Sequence, residues 1–234
     1  MYVAKFICIL MPCVTVAVFV AGMVGRLRNW NRAGAARIPL FPTPATPWQM
    51  WKRILVESLT FGQLCDGNRS LWIGTWAFHL FLFMVLIGHT MLITDLNTLW
   101  KNLGFEYGRA DRIGAAIGGT AGLVLLVAAI YLLTRRLSSA RVREISSLED
   151  YVSIALILAV VISGDLMRFS SYFDTAPVRE FFPGLVGLQI TAIPHNRFLL
   201  IHLFFAQVLI MYVPFSKLVH IPGVFYTKSA LYRC

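Results

Sequence analysis

Five stretches of the chain are apolar for about twenty residues each, near 3–25, 71–94, 113–134, 148–168 and 197–220. A helix rising 1.5 Å per residue needs about that length to cross a hydrocarbon core of about 30 Å. Within such a core every backbone N–H and C=O must be satisfied inside the segment or in a closed barrel. The runs lack the two-residue alternation of a barrel strand, which leaves helices. The fold class implied is all-α integral membrane, a five-transmembrane-helix bundle, with residues 1–234 as one membrane domain. Composition agrees: 58% of residues are hydrophobic and 14% charged, too few polar groups to cover a surface that faces only water.

The 21 Lys and Arg are unevenly shared among the connections. Seven fall in residues 26–70, four in 135–147 and three in 217–234, leaving seven for the other side. The positive-inside rule then places the N-terminus outside, and the first and third connections and the C-terminus in the cytoplasm. The expected location is a prokaryotic cytoplasmic (inner) membrane, crossed several times, and the net charge of +10 requires no nucleic acid. Only Lys5 precedes the first apolar run while Arg26 and Arg28 follow it, so that run reads as a retained helix and not as a signal peptide. Cys8, Cys13, Cys65 and Cys234 form no C-x-x-C pair or iron–sulfur spacing and are assigned no chemistry.

Residues 26–70 form the longest polar connection and the obvious docking surface for a cytoplasmic partner. Basic residues open it, Pro39, Pro42, Pro44 and Pro47 follow, and residues 48–64 read as a helix. Trp48, Trp51, Leu55 and Leu59 recur at three- and four-residue steps beside Lys52 and Arg53, the pattern of a helix lying in the membrane interface. GAAIGGTAG at 114–122 lies inside an apolar run with no strand before it, so it is no phosphate loop. Gly118 and Gly122 instead make a G-x-x-x-G step that admits a neighbouring helix or a flat cofactor.

An ionisable residue inside a span is costly and is a functional candidate by default. His79 and His89 lie on the second apolar run, His202 and His220 on the fifth, and the charge pattern makes those helices antiparallel. His89 and His202 each lie about five residues from the outer end of their runs, at matching depth. His79 and His220 make a second pair towards the cytoplasm. At 1.5 Å per residue the pairs are about 15 Å apart along the second helix and about 27 Å along the fifth, a mismatch assigned to tilt, side-chain reach and a kink at Pro214. Eighteen residues are five turns, so His202 and His220 share a face. Neutral imidazole donates a ring nitrogen to haem iron. Four histidines in mirrored pairs favour two b-type haems over hydrogen-bonding or proton-relay roles, and two distant pairs do not suit a non-haem metal. His195, just before the fifth run, has no counterpart and reads as a surface residue, with contact to a quinone as the minor alternative.

The ten-residue separation of His79 and His89, the eighteen-residue separation of His202 and His220, and PFSKLVH at 214–220 resemble the gamma-type cytochrome b subunit of respiratory nitrate reductase across nearly the whole chain. KRILVESLTFGQL at 52–64, GDLMRF at 164–169 and PFSKLVHIPGVF at 214–225 are similar to a relative, the membrane cytochrome b subunit of the Dsr complex of sulfur metabolism. That subunit is akin to the membrane subunit of heterodisulfide reductase.

The resemblance implies that His79 with His220 holds the cytoplasm-proximal haem b, and His89 with His202 the distal one. It also implies exchange with menaquinone or ubiquinone near the distal haem, and a cytoplasmic iron–sulfur subunit of heterodisulfide-reductase type with further membrane and periplasmic redox subunits. Nitrate-reductase relatives carry a lysine in the outer loop after the second helix. Here the stretch reads EYGRADR, so Arg109 and Arg112 are the nearest cations, and they or His89 would meet a quinone oxygen.

The expected function is thus an electron-transfer subunit between quinone near the outer face and a cytoplasmic iron–sulfur partner, in sulfur-compound metabolism. It would be the quinone-reactive part of an oxidoreductase complex and not a complete enzyme. The alternatives are a quinol-oxidising gamma subunit of a nitrate reductase and, from another class, a transporter or channel that uses the histidines as relays.

Overall fold

The computed structural model describes residues 2–33, 46–90, 101–102, 104, 107–170, 176–187, 189 and 193–231, and those residues form helices joined by short turns, with no strand among them. Five helices are long and apolar enough to cross a membrane. They are α1 (Tyr2–Arg32), α4 (Arg69–Thr90), α5 (Tyr107–Ser138), α7 (Leu148–Phe169) and α9 (Arg197–Tyr212). Around them lie α2 (Pro47–Thr60), α3 (Gly62–Gly67), α6 (Ala140–Glu144), α8 (Ala176–Val186) and α10 (His220–Leu231).

Local chemistry sets several of these bounds. Thr46 caps α2 by accepting from the Gln49 N–H at 3.2 Å, with Pro47 in the first turn, where its missing N–H costs nothing. Phe61 at φ 49° is left-handed and ends α2, so the helix expected over residues 48–64 is two helices meeting at that residue. The Ser147 N–H donates to the Asp150 carboxylate at 2.9 Å and opens α7, the acidic half of a capping box. Asn196 opens α9 by accepting from the N–H groups of Phe198 and Leu199.

The fifth apolar run is not one helix, contrary to the span expected to 220. α9 stops at Tyr212, two 3₁₀ turns cover Val213–Phe215 and Lys217–Val219, and α10 begins at His220. Pro214 lacks the N–H that an α-helix would use there. Ser216 then takes extended angles, φ −118° and ψ 173°, and its hydroxyl caps the next turn through the Leu218 N–H. His202 and His220 therefore do not share a face by counting five turns, because the α-helix is interrupted between them. The second run is described only to Thr90, so the expected residues 91–94 lie outside the described residues.

The spans pack in the order α1, α9, α7, α5, α4. Phe78 of α4 and Leu125, Ala128 and Ala129 of α5 make the buried core, with Ile157, Leu158 and Val161 of α7 against it. Close approach uses glycine: Gly74 lies under the Tyr131 ring and Gly122 under the Asp165 carboxylate, while nothing lies over Gly118. Of the expected G-x-x-x-G pair, only Gly122 serves a helix contact. After one α turn at Tyr2–Lys5, α1 passes through a π-helical turn at Phe6–Leu10. Beside it the Gln207 amide donates to the Ile7 carbonyl at 3.0 Å and joins α9 to α1, an interhelical bond of the kind that ties membrane helices together.

At one end of the bundle α2, α10 and the end of α1 form a platform. Met50 and Ile54 of α2 are buried while Trp48, Trp51, Leu55 and Leu59 stay exposed. The Lys228 ammonium bonds Glu57 at 2.7 Å, and Trp30 stacks on Tyr226 at 5.4 Å. Helix α8 was not expected from the sequence. It buries Val178 and Phe181 at 3% exposure each and carries Pro183 internally.

Candidate cofactor site

The two histidine-bearing spans, α4 and α9, pack on different neighbours, α4 on α5 and α9 on α7 and α1, and among the described residues they make no extensive backbone approach to each other. Histidine rings face one another across the space between them. His89 and His202 have ring centroids 6.0 Å apart at an interplanar angle of 21°. His79 of α4 and His220, the first residue of α10, are 5.9 Å apart at 83°. The structure thus brings all four residues into the two pairs expected from depth, although His220 gets there by the break after α9.

Each ring is oriented through Nδ1 by a backbone carbonyl. The partners are Thr75 for His79 at 2.8 Å, Val85 for His89 at 2.7 Å, Val160 for His202 at 3.1 Å and Lys217 for His220 at 3.1 Å. A carbonyl only accepts, so each Nδ1 carries the hydrogen and each Nε2 keeps its lone pair. This is the arrangement of a metal-ligating imidazole, whose other nitrogen is held by a second partner.

Two bonds of about 2 Å from ring nitrogens to one metal, with the radius of an imidazole ring at each end, put the centroids about 6 Å apart. Both pairs have that separation. Each pair offers two ring nitrogens, and among the described residues no three His, Cys, Asp or Glu side chains converge as a metal cluster.

The surroundings differ between the pairs. His202 is 9% exposed, with the Ser163 Oγ 3.2 Å from its Nδ1. Gly164 leaves room for that ring, since a Cβ there would meet His202 Cε1 at 3.1 Å. His79 is half-buried between Phe78 and Phe61, centroids 5.3 and 5.0 Å away, while His89 and His220 are exposed. The residues that reasoning from sequence missed are these neighbours, Ser163, Gly164 and Phe61. A serine and a glycine side by side late in an apolar run are the available signal, but nothing in the run says which ring they meet.

Arg109 and Arg112 fall in the first turns of α5, at the His89 end of the bundle, and their side chains lie outside the described residues. His195 is exposed in the connection before α9. Cys8, Cys13 and Cys65 are free thiols, and Cys234 lies outside the described residues.

Fold and site together define a helical membrane subunit of cytochrome b type, built for electron transport in an oxidoreductase complex. Residues 60–232 match the family described as nitrate reductase gamma subunit, and the chain belongs to that family. It is 29% identical to the Hdr-like menaquinol oxidoreductase cytochrome b-like subunit of Archaeoglobus fulgidus, over 94% of this chain and 77% of the relative. It is 28% identical to the nitrate reductase gamma chain of Bacillus subtilis, over 71% of this chain and 80% of the relative. A third relative, from the dihydromethanophenazine:CoB–CoM heterodisulfide reductase of Methanosarcina barkeri, is 29% identical over 64% of this chain and 56% of its own length.

Proposed function

We propose that this chain is the di-haem cytochrome b subunit of a respiratory-type complex, with one haem b between His79 and His220 and another between His89 and His202. The single observation that carries the reading is the geometry of those pairs, each about 6 Å apart with every Nδ1 tied to a carbonyl. A b haem held by two imidazoles has no open iron position and accepts and passes single electrons. The chain's own part is to present four fixed Nε2 atoms, to separate the pairs along the bundle, and to keep water from the ring of His202.

Quinone exchange is assigned to the His89 end, where Arg109 or Arg112 would donate to a quinone oxygen, the His89 Nδ1–H being given to the Val85 carbonyl. The Archaeoglobus fulgidus relative is named a menaquinol oxidoreductase subunit, which favours menaquinone over ubiquinone. Its name also favours a heterodisulfide-reductase-type iron–sulfur partner over a nitrate reductase assembly, because its match spans 94% of this chain against 71% for the nitrate reductase subunit. The partner is assigned to the α2–α10 platform and sulfur-compound metabolism to the complex. Arg26, Arg28 and Arg32 of α1, Lys52 and Arg53 of α2 and Lys228 of α10 sit on that platform, which supports a cytoplasmic orientation for it.

The test is a dithionite-reduced minus oxidised visible spectrum of the purified chain, with extracted haem counted per protein. Two b haems are the expected result. None, in a well-folded preparation, overturns the reading and leaves a histidine relay in a transporter or channel as its replacement.

A further inference from the structure

Among the described residues Phe61 is the one non-glycine residue with a positive φ, at φ 49° and ψ 37°. A side chain is strained in that region and glycine is not, yet the turn is made at Phe61 and not at Gly62 beside it. The strain falls on the residue whose ring reaches the site. That ring lies 5.0 Å from the His79 ring at 41°, while Phe78 meets the same imidazole edge-on at 5.3 Å and the Thr75 carbonyl takes its Nδ1.

Phe61 is held in turn by two helices. Its N–H donates to the Glu57 carbonyl of α2 at 3.1 Å, and the Trp72 indole N–H of α4 donates to the adjacent Thr60 carbonyl at 2.7 Å. The Glu57 carboxylate accepts from the Lys228 ammonium at 2.7 Å, and Lys228 belongs to α10, the helix that begins with His220. A closed circuit results, from His220 through α10, Lys228, Glu57 and Phe61 to His79, and back across 5.9 Å to His220. The rings of this pair stand at 83°, whereas those of His89 and His202 stand at 21°.

We propose that Phe61 is the positioning residue of the His79–His220 site: with the Glu57–Lys228 pair as its clasp, it holds the His79 ring across that of His220, so that the α2–α10 platform sets the angle between the two imidazole planes. The inference rests on the haem reading proposed above. Crossed imidazole planes leave two d orbitals of a bound low-spin iron nearly equal in energy, and near-parallel planes split them. The angle is therefore read in the anisotropy of the ferric signal and in the potential, properties that ligand orientation and its supporting groups tune. A residue that merely ended α2 would be replaced by glycine at no loss, because glycine takes the same φ freely.

The experiment takes the full haem-loaded chain in lipid nanodiscs and compares wild type with F61G, F61Y and K228M by electron paramagnetic resonance and redox titration, the two signals being assigned with H202A. In wild type the His79–His220 signal is expected to be the more anisotropic. F61G keeps the turn and removes the ring. Its His79–His220 signal should move towards the smaller anisotropy of the other site, with a shifted potential, while the His89–His202 signal stays. F61Y keeps the ring and should match wild type, and K228M opens the clasp and should move the same signal in the same direction by less. Wild-type signals in F61G or K228M overturn the proposal, as does an F61Y shift as large as that of F61G. An equal shift of both haems in F61G also overturns it, because the change is then a general loosening. A wild type without two b haems overturns the haem reading itself, and this proposal with it.

Discussion

Lys217 joins two elements that meet at His220: its ammonium lies 2.8 Å from the Asp150 carboxylate of α7, and its own carbonyl accepts from His220 Nδ1 at 3.1 Å. Asp150 is further held by Arg136 at 3.4 Å and by the Ser147 N–H. The start of α7 thereby pins the broken segment after α9, and the ring of His220 with it.

Removing that pin should cost the His79–His220 site before the other. Asp150→Ala is expected to lower stability by about 1 kcal/mol through the lost cap and pairing. It should also deplete the b haem of this pair, with His89–His202 loading kept. A redox titration that resolves the two haems, with thermal unfolding in parallel, checks both; equal loss of the two haems would contradict the assignment.

Histidine replacements should separate the same two sites. His89→Ala or His202→Ala is expected to remove one haem of two and block reduction by quinol, while part of the dithionite-reducible haem remains. Haem extraction per protein gives the count, and complete loss from every single variant would argue against independent pairs.

Gly164 should tolerate little. A Cβ there meets the His202 ring at 3.1 and 3.3 Å, so Gly164→Ala forces a shift of a few tenths of an ångström and Gly164→Val a larger one. Graded loss of the His89–His202 haem, valine worse than alanine, is the expected spectrum. Full loading in the valine variant would mean that the ring has room the packing does not show.

Gln207 should act as an interhelical tie. Gln207→Leu removes the bond to the Ile7 carbonyl and one to Leu203, and the expected cost is about 1 kcal/mol. Unfolding in mixed micelles measures it, with haem spectra unchanged.

The platform should depend on pH through Glu57. Hydrogen bonds from Lys228 and then Arg53 hold its carboxyl below the usual glutamate range. A lowered folded value means that the contribution is complete at neutral pH, above the unfolded value of about 4.3, and is lost as pH falls through the lower folded one. Limited proteolysis of α10 should therefore speed up only in acid in wild type, and at every pH in Glu57→Gln.

Five spans, their antiparallel alternation and the four histidines were legible in the sequence, because a span must be about twenty apolar residues long and an imidazole inside one stands out chemically. The bounds of α7, expected at 148–168 and found at Leu148–Phe169, follow from that length, whereas α1 runs on to Arg32, past its expected end at 25. Helix α8 was hidden, since Pro183 and Gly184 read as breakers. The join at Phe61 was hidden too, because a left-handed phenylalanine is a conformation that local preference argues against.

Hydrophobic length and charge placement, properties that need no partner, determined from the sequence alone that the chain spans a membrane, how often, and with which histidines inside. Tertiary structure decided which rings meet and which atoms they offer. The route to His220 runs through the Ser216 turn and not along a helix, and the hold on His202 comes from Val160 of another span. Neither could be counted along the chain, because an interrupted helix breaks the 3.6-residue count and a contact between helices exists only once the spans have packed.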